Sequence, residues 1–316
     1  MNDLAHVLVL AGGLSYEREV SIRSGRRVSE VLRAAGVVVE TRDTDATLVP
    51  AVLADPPDAV FVTLHGGAGE DGAIRTVLEL LNVPYVGATP DACRVAYDKP
   101  TAKAVVRSWG LNTPDSVSLP KETFHDLGAT AVLARIVDRL GLPLFVKPSR
   151  GGSALGASIV RSAEELPAAM VGCFAYGDTV LIEKYIAGVE VAVSVVDLGD
   201  GPVALPPVEI VPDRGVYDYA ARYTAGHTEF FAPARLSPED TEACAAMAVT
   251  AHAALGLRDV SRTDLIVDET GRPYFLEVNV APGMTETSLF PMAAEAAGRD
   301  LGTLCKGLLE LAARRG

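Results

Sequence analysis

The chain has 316 residues, of which 49% are hydrophobic and 22% charged, and its formal net charge is −13 at pH 7. This amount of apolar material predicts two or three domains with sizeable cores. The acidic balance, without a basic run anywhere in the sequence, argues against binding to nucleic acid or to an anionic membrane surface. Small molecules are therefore the expected partners.

The pattern of apolar residues and cysteines predicts a cytoplasmic protein. The apolar stretch near the N-terminus is short and lacks a basic flank, and no segment has about 18 uninterrupted apolar residues. The four cysteines are scattered without C-x-x-C spacing, which fits reduced, buried thiols better than zinc ligands or a disulfide framework.

The first third of the chain alternates strand and helix patterns. Buried strands are predicted at residues 6–13, 37–41 and 58–67, and helices at residues 17–35 and 91–109. Such alternation is typical of an open parallel α/β domain, which we expect over residues 1–95. Ligands in these sheets bind beyond the carboxyl ends of the strands, where "AGG" (11–13) and "LHGGAGEDG" (64–72) fall. Both loops are candidate binding loops.

A glycine-rich hairpin is predicted in "LPLFVKPSRGGSALGASIVRS", residues 142–162. It is not a P-loop, because no helix follows the glycines and G-x-x-x-x-G-K-[ST] occurs nowhere in the chain. Its backbone N–H groups can still cover a triphosphate, with Lys147 as a point charge. A flexible turn beside a surface lysine would give the same pattern.

Two further strands are predicted in "TVLIEKYIAGVEVAVSVVDLGDG", residues 179–201, around the polar residues Glu183, Lys184 and Glu190. Acids in so apolar a segment can receive an adenine amino group and ribose hydroxyls, although a salt bridge at a strand end is an equally good explanation for one of them. Residues 237–256 predict a structural helix, with Ser237 as N-cap.

The C-terminal part predicts a β-hairpin with strands at 260–267 and 273–280. Arg262 and Asp264 share one face of the first strand, and Glu277 and Asn279 share one face of the second. Three hard oxygen donors without a nearby histidine or cysteine suit magnesium. A charge-paired sheet face is the alternative, but one arginine would leave the two carboxylates undercompensated.

The order of these motifs resembles the D-alanine–D-alanine ligases of the ATP-grasp superfamily. The resemblance covers nearly the entire chain and is carried by "LAGGLSYEREVSIRSG", "LHGGAGEDG", "YDKPTAK", "LFVKPSRGGSALGAS", "VLIEKYIAGVE", "VYDYAARY", "SRTDLIVD" and "FLEVNVAPGMTETSLFP". It implies an α/β (α+β) ATP-grasp fold with an N-terminal open parallel α/β domain. The implied domains are residues 1–95, which bind substrate, and the two ATP-grasp subdomains, 96–180 and 181–316.

The resemblance also implies an ATP site and a metal site. The ATP-binding residues would be Lys99 and Lys147 for the phosphates, Glu183 and Glu190 for adenine and ribose, and Lys184 and Ile186 beside the base. Asp264, Glu277 and Asn279 would bind Mg²⁺, or Mn²⁺ in its place. Arg262 would contact the transferring phosphoryl group or the tetrahedral oxyanion, beside Gly283.

The amino acid sites follow from the same resemblance. Glu17 would bind the ammonium group of the first D-alanine with His65 nearby, Ser153 and Tyr223 would hydrogen-bond with that acid and close the site, and Ser288 and Leu289 would receive the carboxylate of the second D-alanine. Tyr223 favours an amide product, because family members that form an ester with D-lactate tend to have phenylalanine there.

Four residues depart from the family pattern. Arg222 replaces a lysine of the ATP site, Gly151 a glutamate, Ala154 a serine and Val280 a threonine. A guanidinium and an ammonium group bind phosphate differently, and the glycine-rich loop loses an acid and a hydroxyl. The departures therefore affect how the glycine-rich loop closes the site and which second amino acid it accepts.

These features predict a ligase that uses ATP and Mg²⁺ to form D-alanyl-D-alanine for peptidoglycan precursor synthesis through an acyl phosphate. The resemblance implies a homodimer. The closest alternative is an ATP-grasp ligase that joins other amino acids in a specialised pathway, and a catalytically idle nucleotide-binding protein is an alternative from another class.

Overall fold

A computed structural model describes residues 4–213 and 226–316 of the chain. The strands of this part of the chain form three sheets, of three, four and six strands. The mixture of parallel and antiparallel sheets confirms the predicted α/β class.

The N-terminal region is an open parallel sheet flanked by helices, as predicted. Its elements are β1 (Val7–Leu10), α1 (Arg18–Ala34), β2 (Val39–Arg42), α2 (Leu48–Ala54), β3 (Ala59–Val62), a 3₁₀ turn (Gly67–Gly69) and α3 (Ala73–Leu80). The strand order is β2-β1-β3, so β1 is central. Both predicted binding loops follow the carboxyl ends of strands, one after β1 and one after β3.

The helix predicted at 91–109 is two helices, α4 (Pro90–Tyr97) and α5 (Lys99–Ser108). The break falls at Asp98, whose backbone is extended and whose side chain caps α5 by accepting from the N–H of Thr101. Pro100 explains the break, because proline has no N–H to donate and its ring would clash with the carbonyl four residues earlier. At the second position of α5 this proline is tolerated.

The second sheet is antiparallel, in the order β4-β7-β5-β6. Its region contains β4 (Ser116–Pro120), α6 (Lys121–Leu127), α7 (Ala129–Leu140), β5 (Leu144–Pro148), β6 (Ser158–Val160), a 3₁₀ turn (Ala163–Glu165), α8 (Leu166–Phe174) and β7 (Thr179–Lys184). The glycine-rich loop joins β5 to β6, which confirms the predicted strand, loop and strand. The helices and the sheet share a separate apolar core.

The third sheet has the order β11-β10-β8-β12-β13, with β9 also paired to β8. Its region contains β8 (Val189–Val196), β9 (Val203–Ala204), β10 (Val208–Pro212), β11 (Thr228–Phe231), α9 (Pro238–Ala254), β12 (Val260–Val267), β13 (Pro273–Asn279), α10 (Leu289–Ala296) and α11 (Leu301–Ala313). Ser237 caps α9 as predicted, accepting from the N–H of Asp240. Helix α5 packs against β13 and shares this region's core.

The pairing of β12 with β13 confirms the predicted hairpin. Arg262 lies opposite Asn279, and Asp264 lies opposite Glu277. Because directly opposed side chains project from the same face of a sheet, this register brings the four predicted polar residues together.

The C-terminal helices pack within the chain. Leu304 and Leu308 of α11 belong to one buried core with Val7 of β1, Leu32 of α1 and Ile210 of β10. Helix α11 thus joins the parallel sheet to the third sheet. Within the described residues, no helix is both long and apolar enough to cross a membrane.

An ion pair between the exposed residue Arg315 and the buried Asp259 reinforces this junction. The carboxylate of Asp259, 1% exposed, lies 2.6 Å from both terminal nitrogens of Arg315 and accepts from the N–H of Gly87 at 2.7 Å. Arg315 also donates to the carbonyl of Tyr85 at 3.0 Å. These bonds join the end of α11, the start of β12 and the segment that follows α3.

The substitution Arg315→Met is expected to lower the free energy of unfolding by about 2–3 kcal/mol, because it leaves the buried Asp259 without its cation. Urea unfolding followed by circular dichroism measures this loss. The exposed neighbour Arg314 is the matched control, and Arg314→Met should change the stability by less than about 0.5 kcal/mol. Equal losses in the two variants would contradict a special role for Arg315.

Candidate active site

A cavity of about 810 Å³ lies where loops and strand ends of the three sheets meet. All six residues predicted to bind ATP within the described part of the chain line it: Lys99, Lys147, Glu183, Lys184, Ile186 and Glu190. Glu17, Asp264 and Glu277 line the same cavity. Residues far apart in sequence therefore share one site.

Glu183 occupies the wall of this cavity between two lysines. Lys147 Nζ lies 2.8 Å from Glu183 Oε2, and Lys103 Nζ donates to Glu183 Oε1. Burial opposes the charge on Glu183, but the lysines outweigh it and lower the pKa of the carboxyl group. The glutamate is therefore ionised at neutral pH.

Lys103 is a site residue that the sequence analysis missed. Its side chain is 1% exposed, and burial lowers its pKa to about 8 despite the adjacent Glu183. The signal was present in "DKPTAK", where Lys103 follows Lys99 by four residues and so shares one face of α5.

The opposite carboxylates of the hairpin each face a cation. Arg262 donates to both oxygens of Asp264, at 2.7 and 2.9 Å, and Lys99 Nζ lies 3.3 Å from Glu277. Lys99 also donates to the carbonyl of Gly151, 2.6 Å away, which connects α5 to the glycine-rich loop. The two carboxylates are thus balanced by two cations: Arg262, which the sequence predicted, and Lys99, which comes from a distant helix.

The donor chemistry of this face fits a divalent cation, although charge balance alone does not require one. Asp264 and Glu277 present carboxylate oxygens to the cavity, while Asn279 Oδ1 accepts from the N–H of Ala281 at 2.8 Å. The described residues contain no group of three or more His, Cys, Asp or Glu that could hold a metal. A cation here would bind two carboxylates and complete its shell with other oxygen donors, as magnesium prefers.

Glu17 lines the cavity from the N-terminus of α1. Its Oε1 accepts from the hydroxyl of Ser153 in the glycine-rich loop. A Cβ atom would lie 2.5 Å from Glu17 Oε2 at Gly66 and 2.9 Å from both carboxylate oxygens at Gly152. Glycine lets the two loops close around this acid, and at Gly66 the positive φ of 66° also favours glycine.

His65 lies close to Glu17 and is almost fully buried. Its Nε2 is 3.0 Å from Ser24 Oγ, which accepts from the N–H of Met284 at 3.1 Å. Burial lowers the pKa of His65, so the ring is neutral at pH 7. The histidine thereby connects β3 and α1 to the loop after β13.

Glu70 is a second acid that the sequence analysis did not assign. It lies buried in the loop after β3, and burial, followed by the charge of Glu17, raises its pKa to about 8. At neutral pH Glu70 is mostly protonated and therefore adds little negative charge to this corner. In the sequence, the sign that Glu70 belongs to the site is its position as an acid within the glycine-rich "HGGAGEDG".

The loop before α10 holds the predicted second-substrate residues. Ser288 begins α10, and its Oγ accepts from the N–H of Thr285 at 3.0 Å and lies 2.8 Å from Thr285 Oγ1. Gly283 approaches the same hydroxyl, because a Cβ atom there would lie 2.7 Å from Ser288 Oγ. The side chain of Leu289 is buried in the core.

The predicted residues Arg222 and Tyr223 lie outside the described residues.

The chain is similar to known ligases along nearly its whole length. It matches the family models "D-ala D-ala ligase N-terminus" over residues 43–88 and "D-ala D-ala ligase C-terminus" over residues 105–310. The D-alanine–D-alanine ligase of Pelotomaculum thermopropionicum is 40% identical over 96% of this chain and 95% of its own length. That of Nitrosospira multiformis is 41% identical over 98% of both chains.

Solved structures show the same similarity. The VanG D-Ala:D-Ser ligase of Enterococcus faecalis has a TM-score of 0.83 at 28% identity, covering 97% of this chain and 99% of the other. The D-alanine–D-alanine ligase of Bacillus anthracis complexed with ATP has a TM-score of 0.80 at 30% identity, covering 98% and 97%. The predicted ATP-grasp fold is thereby confirmed.

The substitution Glu70→Gln is expected to change how stability depends on pH. Between pH 4.5 and about 8 the folded protein keeps the proton of Glu70 whereas the unfolded chain loses it, so this group makes stability fall as pH rises through that window. Glutamine has no such proton. The stability of the variant relative to the parent protein should therefore rise from pH 5 to pH 8, by roughly 3–4 kcal/mol.

Urea unfolding at several pH values measures this difference. The exposed Glu30 on α1 provides the control, and Glu30→Gln should leave the pH dependence as it is in the parent protein. Parallel stability curves for Glu70→Gln and the parent protein would show that Glu70 is not held protonated.

Proposed function

The chain belongs to the D-alanine–D-alanine ligase family, and we propose that it uses ATP to join two D-alanines for peptidoglycan precursor synthesis. The products are D-alanyl-D-alanine, ADP and phosphate. The observation that carries this proposal is the shared cavity, which is lined by lysines suited to a triphosphate, by the apolar side chains of Ile186 and Leu276, and by Glu17. Nearly full-length identity of about 40% to such ligases supports it.

ATP binds along the cavity between the second and third sheets. Ile186 and Leu276 supply apolar surface for the base, and Glu183 and Glu190 supply acceptors for the adenine amino group and the ribose hydroxyls. The triphosphate extends towards Lys99 and Lys147, with Arg222 as a further cation. Lys99 also donates to the carbonyl of Gly151, so binding of the triphosphate at Lys99 affects the position of the glycine-rich loop.

The reaction has two steps, because a carboxylate is a poor electrophile. An oxygen of the first D-alanine carboxylate attacks the γ-phosphorus, the bond to the β,γ-bridging oxygen breaks, and ADP leaves. The amine of the second D-alanine, once deprotonated, attacks the carbonyl carbon of the acyl phosphate, and inorganic phosphate departs as the amide forms. Arg262 stabilises negative charge on the phosphoryl group and on the tetrahedral oxyanion, beside Gly283.

Divalent metal is part of the proposed site. Asp264, Glu277 and Asn279 would hold Mg²⁺, or Mn²⁺ in its place, through oxygen atoms. The bound cation would neutralise phosphate charge and orient the triphosphate. Arg262 and Lys99 hold the two carboxylates in position, since each already contacts one of them.

The two amino acids bind at the end of the cavity near Glu17. Its carboxylate pairs with the ammonium group of the first D-alanine, and Ser153 and Tyr223 orient it. His65 and Glu70 are uncharged near neutral pH, so they do not compete for that ammonium group. Ser288 and the adjoining backbone of Leu289 receive the carboxylate of the second D-alanine.

The three sheets support a division into three domains. We place the boundaries near residues 95 and 184, the second slightly later than the sequence indicated, because β7 runs to Lys184 within the second sheet. The family resemblance supports a homodimer, and the use of ATP in precursor synthesis supports a cytoplasmic location.

The proposal predicts that the purified protein converts ATP and D-alanine to ADP and D-alanyl-D-alanine in equal amounts when Mg²⁺ is present. Coupled detection of ADP and mass spectrometry of the dipeptide measure both products. Offering D-serine, D-lactate or other amino acids as second substrate tests the departures at Gly151, Ala154 and Val280. Tight ATP binding without dipeptide from two D-alanines would contradict the proposed substrate while leaving the fold intact.

A second prediction concerns the metal. Glu277→Gln is expected to lower turnover at limiting Mg²⁺ by at least about 10-fold, because an amide is a weaker ligand than a carboxylate, and higher Mg²⁺ should restore part of the activity. Glu269, exposed in the turn of the same hairpin, is the control, and Glu269→Gln should leave the Mg²⁺ dependence unaltered. Unchanged turnover of Glu277→Gln at limiting Mg²⁺ would remove this residue from the metal site.

A further inference from the structure

Helix α5 carries two buried lysines with different surroundings. Lys99 and Lys103 are four residues apart and project from the same face of the helix. Lys99 lines the cavity, whereas Lys103 lies behind the cavity wall with 1% of its surface exposed. Lys103 is therefore placed to act on the site through another residue rather than on a ligand.

The residue that connects Lys103 to the cavity is Glu183. This glutamate lines the cavity and uses one oxygen for each lysine, Oε1 for Lys103 and Oε2 for Lys147. Lys147 and Glu183 are diagonal neighbours on β5 and β7, since Phe145 lies opposite Glu183 and Lys147 opposite Leu181. The glutamate is held from the sheet on one side and from α5 on the other.

The two lysines differ in the other charges around them. Lys147 is also attracted by Glu277 and Asp264, which raise its pKa together with Glu183 against the effect of burial. The ion pair that the described residues form with Lys103 is to Glu183, which is the main anionic influence on its pKa, while Lys147 and Arg107 act in the opposite direction. Within the described part of the chain, Lys103 is thus paired with Glu183, while Lys147 is also attracted by Glu277 and Asp264.

We propose that Lys103 is a positioning residue for ATP, which keeps Glu183 ionised and directed at the adenine end of the cavity when Lys147 turns to the triphosphate. This inference rests on the proposed function, because it takes ATP as the ligand. Binding of ATP gives Lys147 new anionic partners and weakens its hold on Glu183. A buried carboxylate without a cation would take up a proton or turn away, and the adenine amino group would lose its acceptor.

The test is a cycle of Lys103→Met, Glu183→Gln and the double variant, with the KM values for ATP and D-alanine measured for each. Lys103→Met should raise the KM for ATP by about 10-fold or more, as expected for loss of a buried charge-assisted hydrogen bond, and leave the KM for D-alanine nearly unchanged. In the Glu183→Gln background the same substitution should change the KM for ATP by less than about threefold, because the partner is already gone.

Lys121, an exposed lysine paired with Asp178 on the second domain, gives the matched control. Lys121→Met should leave both KM values at those of the parent protein. If Lys103→Met fails to fold, Lys103→Gln replaces it in the cycle, because an amide keeps a donor to Glu183 without the charge.

Three results would overturn the proposal. A KM for ATP that Lys103→Met leaves unchanged, or raises equally with and without Glu183, would show that Lys103 does not act through this acid. Equal rises in the KM values for ATP and D-alanine would indicate a general structural role. Absence of ATP-dependent dipeptide formation by the parent protein would contradict the proposed function itself, and is thereby distinguishable from failure of this inference alone.

Discussion

The arrangement of this site depends on burying carboxylates beside cations that come from other elements. A buried charge without a partner costs several kcal/mol, so each acid in the cavity wall fixes the position of a neighbour. Glu277 on β13 contacts Lys99 of α5, and Glu183 on β7 contacts both Lys103 of α5 and Lys147 of β5. Through these pairs, α5 connects the second sheet to the third.

Backbone features place α5 where it can make these contacts. The break at Asp98 and Pro100 lets α5 begin anew beside the glycine-rich loop, where the N–H of Lys99 donates to the carbonyl of Ser149 at 2.9 Å. A continuous helix over the same residues would put the first lysine in another direction. The local chemistry of one proline therefore contributes directly to the geometry of the cavity.

The electrostatics near Glu17 depend on two buried groups that are uncharged at neutral pH, His65 and Glu70. Burial keeps His65 unprotonated and holds a proton on Glu70 at neutral pH, although both lie close to this acid. In this corner Glu17 Oε1 accepts from the hydroxyl of Ser153, and Gly66 closely approaches the other oxygen of the same carboxylate. For the proposed function, such a corner would favour a small ammonium group over a phosphate.

The sequence by itself determined the parallel β/α order of the N-terminal region and the hairpin that opposes Asp264 to Glu277, because periodicity and strand register are local properties. The motif residues that line the cavity were identified through the resemblance to the ligase family. The tertiary structure decided which charges share a partner. Lys103 and Glu70 became recognisable as site residues only once distant segments were packed together, because the pKa and the contacts of a buried group depend on neighbours that spacing along the chain does not reveal.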